Sequence, residues 1–178
     1  MENKLLKIGL AGLLAVSLTG CGKDAKQYSS CITPFVETHS KLSSNFYTPN
    51  RKETYNRFEK VIQTAKDGKS VKKLKEMKYR LIDTLEDFDR NFKTGNKVLD
   101  NFSKLEETCN NFYDEDNSKN KAEYKVLQSV KQTAIDLRKD SAIVLFNVLE
   151  KVPRSNLTGT KMEVFPSNEE LIKVINYK

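Results

Sequence analysis

The sequence predicts an all-α protein, an antiparallel bundle of four to five helices with a short C-terminal appendage. The composition favours helices, because the 178 residues include no Trp, 7 Gly and 4 Pro, and 31% of them are charged. Five stretches also space their apolar residues by three and four positions, which is the periodicity of one helix face. Short polar breaks separate the stretches, and short connections favour antiparallel neighbours.

The first predicted helix runs from Gln27 to Phe46. Its apolar stripe has Thr38 in the middle and consists of Cys31, Phe35, Leu42 and Phe46. Pro34 is compatible with an early turn or a kink. The helix is expected to end at Thr48-Pro49-Asn50.

A second helix is expected to follow, with Asn50 as its N-cap residue and Glu53 at the N3 position. Its apolar face consists of Tyr55, Phe58, Ile62 and Ala65. Gly68 follows Asp67 and is a suitable left-handed stop.

The third and fourth predicted helices are separated by a stop at Lys93-Thr94-Gly95-Asn96. Ser70 is a suitable cap for the third helix, whose seam consists of Val71, Leu74, Lys78, Leu81, Leu85, Phe88 and Phe92. We expect Lys78 to extend its ammonium to water or to pair with a carboxylate, or else to mark an incompletely covered seam. The fourth helix carries Val98, Phe102, Leu105, Cys109 and Phe112 on one face.

The fifth predicted helix follows a polar break at residues 114–120 and reaches Pro153. Its stripe consists of Leu127, Val130, Ala134, Leu137, Ser141, Val144 and Val148. Residues 154–160 are loop-like, and Lys161 to Phe165 is compatible with a short extended piece. Ser167-Asn168-Glu169-Glu170 forms a capping box for a last short helix, which is apolar enough to pack on the bundle.

The first 22 residues carry a separate signal. Lys4 and Lys7 precede an apolar run from Ile8 to Leu18, which is too short to span a bilayer because a spanning helix needs about 20 residues. The run closes on Leu18-Thr19-Gly20-Cys21. This segment resembles the lipobox signal peptide of bacterial lipoproteins.

The resemblance implies removal of residues 1–20 and attachment of fatty chains, palmitate among them, to Cys21. Two or more acyl chains anchor a protein stably to a membrane. Gly22 is not the aspartate that marks inner-membrane retention in that family. The expected location is therefore the outer membrane, facing the periplasm, with the inner membrane and the cell surface as alternatives. A plain cleaved signal and a retained anchor are the other interpretations.

Processing would leave 158 residues, which fit one domain. We expect a lipidated tether at residues 21–26, a helical bundle at 27–152, and a loop with a short packed helix at 153–178. The formal charge is +7 and would fall to +6 on loss of the signal. A basic surface suits nucleic acid, anionic lipid or an acidic protein, and the envelope disfavours nucleic acid.

Cys31 and Cys109 remain once Cys21 is acylated. An exported chain in an oxidising compartment usually joins such a pair. Both lie on apolar faces, and alternating helix directions place them at the same end of the bundle. We expect a Cys31–Cys109 disulfide, with two buried free thiols as the alternative.

The sequence offers little catalytic chemistry, and we expect no catalytic residues, metal or cofactor. His39 is the only histidine, and its polar neighbours favour a surface position. Asp114, Asp116 and Ser118 match the first places of a calcium-binding loop. Lysines occupy the sixth and twelfth places, where such a loop needs Gly and Glu, so a calcium site is not expected.

A basic stripe is predicted on the third helix, opposite Leu81 and Leu85. It consists of Lys69, Lys72, Lys73 and Arg80. A solvated helix face is one interpretation, and contact with anionic lipid headgroups or an acidic partner is the other.

These observations favour a membrane-anchored, non-enzymatic module that binds or scaffolds an envelope protein or a secreted protein. An immunity or exclusion lipoprotein that neutralises a toxin, phage or plasmid function is the first alternative. A carrier that holds an apolar ligand between its helices is the second. An adjacent toxin gene would favour the first alternative, and a cavity lined by apolar side chains would favour the second.

Overall fold

The computed structural model confirms the all-α fold class. It describes residues 23–42, 71–151 and 165–176, together with Lys52, Glu53, Asn56, Arg57, Glu59, Lys60 and Gln63. Four α-helices have bounds within these residues: α1 (Lys23–His39), α2 (Val71–Cys109), α3 (Ser118–Lys151) and α4 (Asn168–Ile175). A 3-10 turn at Asn110–Phe112 follows α2 directly. The lipobox signal, residues 1–22, lies outside the described part of the chain.

Helix α1 differs from its prediction in bounds and in its buried face. It begins at Lys23, inside the segment expected to be a tether, and ends at His39. Thr38 is exposed, so its expected place in the stripe was wrong; its hydroxyl donates to the Pro34 carbonyl at 2.7 Å. The buried side chains of α1 start one turn earlier than the predicted stripe and are Tyr28, Ile32, Phe35 and Val36. Leu42, just after the helix, is also buried. Phe46 lies outside the described residues.

The predicted second helix is described only at seven positions between Lys52 and Gln63. All seven are helical and exposed. The apolar face expected there, from Tyr55 to Ala65, lies outside the described residues.

The expected stop at Gly95 was wrong, because α2, which is 39 residues long, continues through this position. Phe92, Gly95 and Val98 are all buried at three-residue spacing, so the apolar stripe keeps its helical phase across the glycine. A glycine inside a helix costs about 1 kcal/mol relative to alanine, which burial of the stripe offsets. The ammonium of Lys93 also bonds the carboxylate of Asp89 at 2.7 Å, one turn before the expected stop.

Helix α3 confirms its predicted stripe, because all seven positions are buried. Its N-cap is Asn117, whose side-chain oxygen accepts from the backbone N–H groups of Lys119 and Asn120 at 3.0 and 3.2 Å. In α4 the predicted cap is also confirmed, since the Ser167 hydroxyl accepts from the Glu170 N–H at 3.2 Å.

The chain divides into two compact units, and α2 and α3 contribute residues to both. Unit 1 comprises Met1–Ser43 and Lys97–Ala134, and unit 2 comprises Ser44–Asn96 and Ile135–Lys178. In unit 2, Phe165 and Leu171 join a core that also contains Ile82, Leu85, Phe88, Phe92, Ala142, Val144, Leu145, Val148 and Leu149.

In unit 1, the end of α2 and the start of α3 run antiparallel. In unit 1, Lys131 lies 4.0 Å from the carboxylate of Glu106 and 4.5 Å from the centre of the Phe102 ring. In unit 2, Arg138 donates to the side-chain oxygen of Asn96 at 3.5 Å. In unit 1 the Tyr113 ring, just after α2, also lies 5.1 Å from the Tyr124 ring of α3, so the residue numbers rise on one segment as they fall on the other, as in a helical hairpin.

Candidate functional site

A disulfide joins Cys31 of α1 to Cys109, the last residue of α2, as the sequence predicted. Their Cα atoms are 5.9 Å apart, and the bond closes a loop of 78 residues. One turn further along α1, Phe35 packs edge-on against Phe102 at 6.0 Å between ring centroids. Helix α1 and the end of α2 are therefore antiparallel. The pairing was predicted on the assumption that the chain also reverses direction at Gly95, which was wrong because α2 is continuous there.

Three tyrosines cluster beside the disulfide. The Tyr113 ring lies 5.3 Å from that of Tyr28 and 5.1 Å from that of Tyr124. Tyr28 is 1% exposed. Burial, reinforced by Tyr113 and by the negative charge of Glu123, raises the pKa of Tyr28 to about 12. The phenol therefore stays neutral across the physiological range and acts as a packing group.

The Glu123 carboxylate is buried at the start of α3, with 4% of the residue exposed. The Ser29 hydroxyl donates to its two oxygens at 2.7 and 2.9 Å, and the Lys119 ammonium lies 3.7 Å from Oε1. This satisfies a charged group that would otherwise be costly to bury. The arrangement ties α1 to α3.

Ser29 and Glu123 resemble part of a nucleophile and base arrangement, but the histidine that would complete it is distant. His39 is ten residues further along α1, about 15 Å by the helical rise. It lies half-buried against Phe35, 4.6 Å between ring centroids, rather than on the surface as expected. Burial and the nearby Lys97 lower the pKa of His39.

The acidic run after α2 forms a turn. Asp114 accepts the backbone N–H of Asp116 at 2.9 Å, and its own N–H donates to the Asn120 side chain at 3.1 Å. Asn120 is fully buried. Across the described ranges no three His, Cys, Asp or Glu side chains are grouped as metal ligands.

The structure covers the predicted basic stripe in part. Lys72, Lys73 and Arg80 lie on α2. The structure does not describe their side chains or that of Lys78, and Lys69 lies outside the described residues. Glu76 and Tyr79 share this stretch of helix and are exposed, with 56% of Tyr79 accessible. Sequence reasoning missed Tyr79, whose position beside Arg80 was the available signal.

Unit 2 buries polar groups that the sequence left unexplained. Asn91 is 2% exposed and Ser141 is fully buried. Within the described residues, Asn91 Nδ2, Ser141 Oγ and Asp89 Oδ1 find no hydrogen-bond partner. The other oxygen of Asp89 accepts from Lys93. A buried polar atom that truly lacks a partner lowers the free energy of unfolding by about 1–3 kcal/mol.

Comparison of the chain with protein-family models, with curated proteins and with solved structures finds no match. Of the helices that the structure describes, none combines the length and the apolar composition needed to cross a bilayer. Cys21, the predicted lipidation site, lies outside the described residues.

Proposed function

We propose that this chain is a lipoprotein of the bacterial envelope, acylated at Cys21, that acts by binding another protein without turnover. Its partner is an envelope protein or a secreted protein. We place it on the outer membrane, facing the periplasm, because the residue after the acylated cysteine is Gly22 and not the aspartate that marks inner-membrane retention in lipoproteins.

Export is supported by two independent features. The first is the signal-like segment that ends at Leu18-Thr19-Gly20-Cys21. The second is the Cys31–Cys109 disulfide, because such bonds persist in the periplasm and are rare in the reducing cytosol.

Tyr79 is the observation that carries the binding proposal. The residue is 56% exposed, and it lies seven positions from Lys72 and next to Arg80 in sequence on one continuous helix. Tyrosine and arginine are enriched among the residues that dominate binding energy, because they bury a large area on association. An aromatic group amid basic residues suits a partner with an acidic rim and a pocket for a phenol ring.

Charge and anchoring support the same partner chemistry. The processed chain would carry +6, and Glu76 offsets only part of the positive charge around Tyr79. Opposite charges speed encounter at low salt. A lipid anchor would add to this by raising the local concentration near other membrane-bound proteins.

Photo-crosslinking in intact cells tests the proposal. A benzophenone amino acid at position 79 should capture one specific protein. Lys72→Glu with Lys73→Glu should reduce that capture roughly tenfold, since the charges steer association. The matched control is Lys104→Glu with Lys125→Glu, which makes the same charge change at exposed positions of unit 1 and should leave capture intact.

Two outcomes would contradict the binding proposal. One is the capture of no specific protein from position 79. The other is an equal loss of capture in both charge-reversed variants while circular dichroism shows unchanged helicity. Capture of a secreted toxin would instead favour the immunity function over a scaffold function.

A further inference from the structure

We propose that the 3-10 turn Asn110–Phe112 lies on the membrane surface, with the Phe112 ring among the lipid headgroups. The inference rests on the proposed acylation of Cys21. It adds an orientation: the end of unit 1 that carries the tyrosine cluster faces the bilayer.

The anchor point is close to the start of α1. Gly22 alone separates Cys21 from Lys23, the first residue of the helix. Two residue steps span at most about 7 Å even when fully extended. Acyl chains on Cys21 would therefore hold the first turn of α1 near the headgroups.

The same end of α1 lies beside the turn. Along α1, the partners of Phe35, Cys31 and Tyr28 are Phe102, Cys109 and Tyr113 in that order. The residue numbers of these partners rise as the residue numbers on α1 fall. The start of α1 and the segment after Cys109 are therefore at one end of unit 1, which Ser29 and Glu123 fasten further.

Among the described residues at this end, Phe112 is an exposed large apolar group. The sequence predicted it on the inner face of a helix, but α2 ends at Cys109 and Phe112 is 37% exposed. A single exposed apolar side chain is ordinary on a protein surface. Here, however, it lies at the end that the anchor would hold against the bilayer, and aromatic rings favour the headgroup region.

The neighbouring charges define the lipid surface. Asp114, Glu115 and Asp116 are exposed just after Phe112. Carboxylates are repelled by anionic headgroups, so anionic lipid would not strengthen the binding of this turn to the bilayer. The contact is therefore a shallow insertion of one ring into a zwitterionic interface, with the acidic residues in water.

Tryptophan fluorescence can test this contact, because the chain has no Trp of its own. Phe112→Trp introduces a single probe in the turn. Thr38→Trp is the matched control, because Thr38 is exposed near the far end of α1, about 22 Å from Lys23 by the helical rise. Full-length protein, purified from membranes with its acyl chains, would be reconstituted into phosphatidylethanolamine vesicles that contain a lipid with a nitroxide quencher on its headgroup.

The Phe112→Trp variant should lose roughly half or more of its fluorescence to the headgroup nitroxide, because interfacial rings lie at headgroup level. The Thr38→Trp variant should keep its signal, and added phosphatidylglycerol should not increase quenching. Flotation and mass spectrometry report separately on anchoring. Floating, acylated protein whose two probes are quenched equally, or not at all, would overturn the orientation alone. Protein that carries no acyl group and does not float would overturn the proposed anchoring and this inference together.

Discussion

The hydroxyl of Ser29 donates to both carboxylate oxygens of Glu123, at 2.7 and 2.9 Å. The two residues are 94 positions apart in the chain. Glu123 is almost fully buried, so its charge depends on this hydroxyl and on Lys119 for stabilisation. The pair links α1 to α3 independently of the disulfide.

Ser29→Ala should lower the free energy of unfolding by about 1–3 kcal/mol, because it leaves a buried carboxylate short of a donor. Urea unfolding followed by circular dichroism measures this. Ser30→Ala is the control, since Ser30 is exposed on the same helix. Equal, small effects of the two substitutions would show that the Ser29–Glu123 bond adds nothing to stability.

Replacing both Cys31 and Cys109 with Ala should cost about 4 kcal/mol, because the disulfide removes entropy from an unfolded loop of 78 residues. Alanine avoids placing a hydroxyl at the buried position of Cys109. Reduction of the wild type should lower its free energy of unfolding by a similar amount, which appears as a lower midpoint of urea unfolding. An unchanged midpoint on reduction, or alkylation of both cysteines in the denatured, non-reduced protein, would contradict the pairing.

Tyr28 should make stability fall in strong alkali. Its pKa is about 12 in the folded chain against an ordinary value of 10.0. Between these values the unfolded chain has released the phenolic proton and the folded chain still holds it, so rising pH favours unfolding. The effect is absent below pH 10.

Tyr28→Phe should remove this alkaline loss and leave the stability at pH 7 nearly unchanged. Ultraviolet titration of the phenolate, together with urea unfolding at several alkaline pH values, measures both quantities. If the variant and the wild type lose stability equally above pH 10, Tyr28 is not the residue responsible.

Ser141→Ala should raise the free energy of unfolding by about 1 kcal/mol, because it removes a hydroxyl that is buried with no partner within the described residues. Thermal unfolding would show this as a higher Tm. A lower Tm would mean that the Ser141 hydroxyl has a stabilising partner, such as a buried water.

The sequence was most informative where one rule acted alone. The stripe from Leu127 to Val148 keeps strict three-four spacing, and every predicted position is buried. The last helix was predictable from Ser167 and Glu170, because a capping box is a local arrangement.

Local rules failed where helical phase decided the outcome. Gly95 was expected to end a helix, but the stripe remains in phase on both sides of it, and burial outweighs the local cost of glycine. Thr38 was placed on the apolar face because it lies three residues after Phe35 and four before Leu42. The actual face instead includes Ile32 and Val36, and half-buried His39 lies against it.

The candidate site was predictable only through its covalent bond. Two cysteines in an exported chain pair almost by elimination, which allowed the Cys31–Cys109 bond to be predicted. Ser29, Glu123 and the three tyrosines come together through tertiary packing, and none carries a local pattern. The exposure of Phe112 depends on where α2 ends, which the spacing did not predict.

Acylation of Cys21 is the central claim, and metabolic labelling tests it most directly. Cells expressing the full chain would be grown with a clickable palmitate analogue, and the chain would be isolated from membrane and soluble fractions. The wild type should carry the label and sediment with membranes, whereas Cys21→Ser should be unlabelled because no other residue can replace the acylated cysteine. Equal labelling of Cys21→Ser, or no labelling of the wild type, would contradict the account.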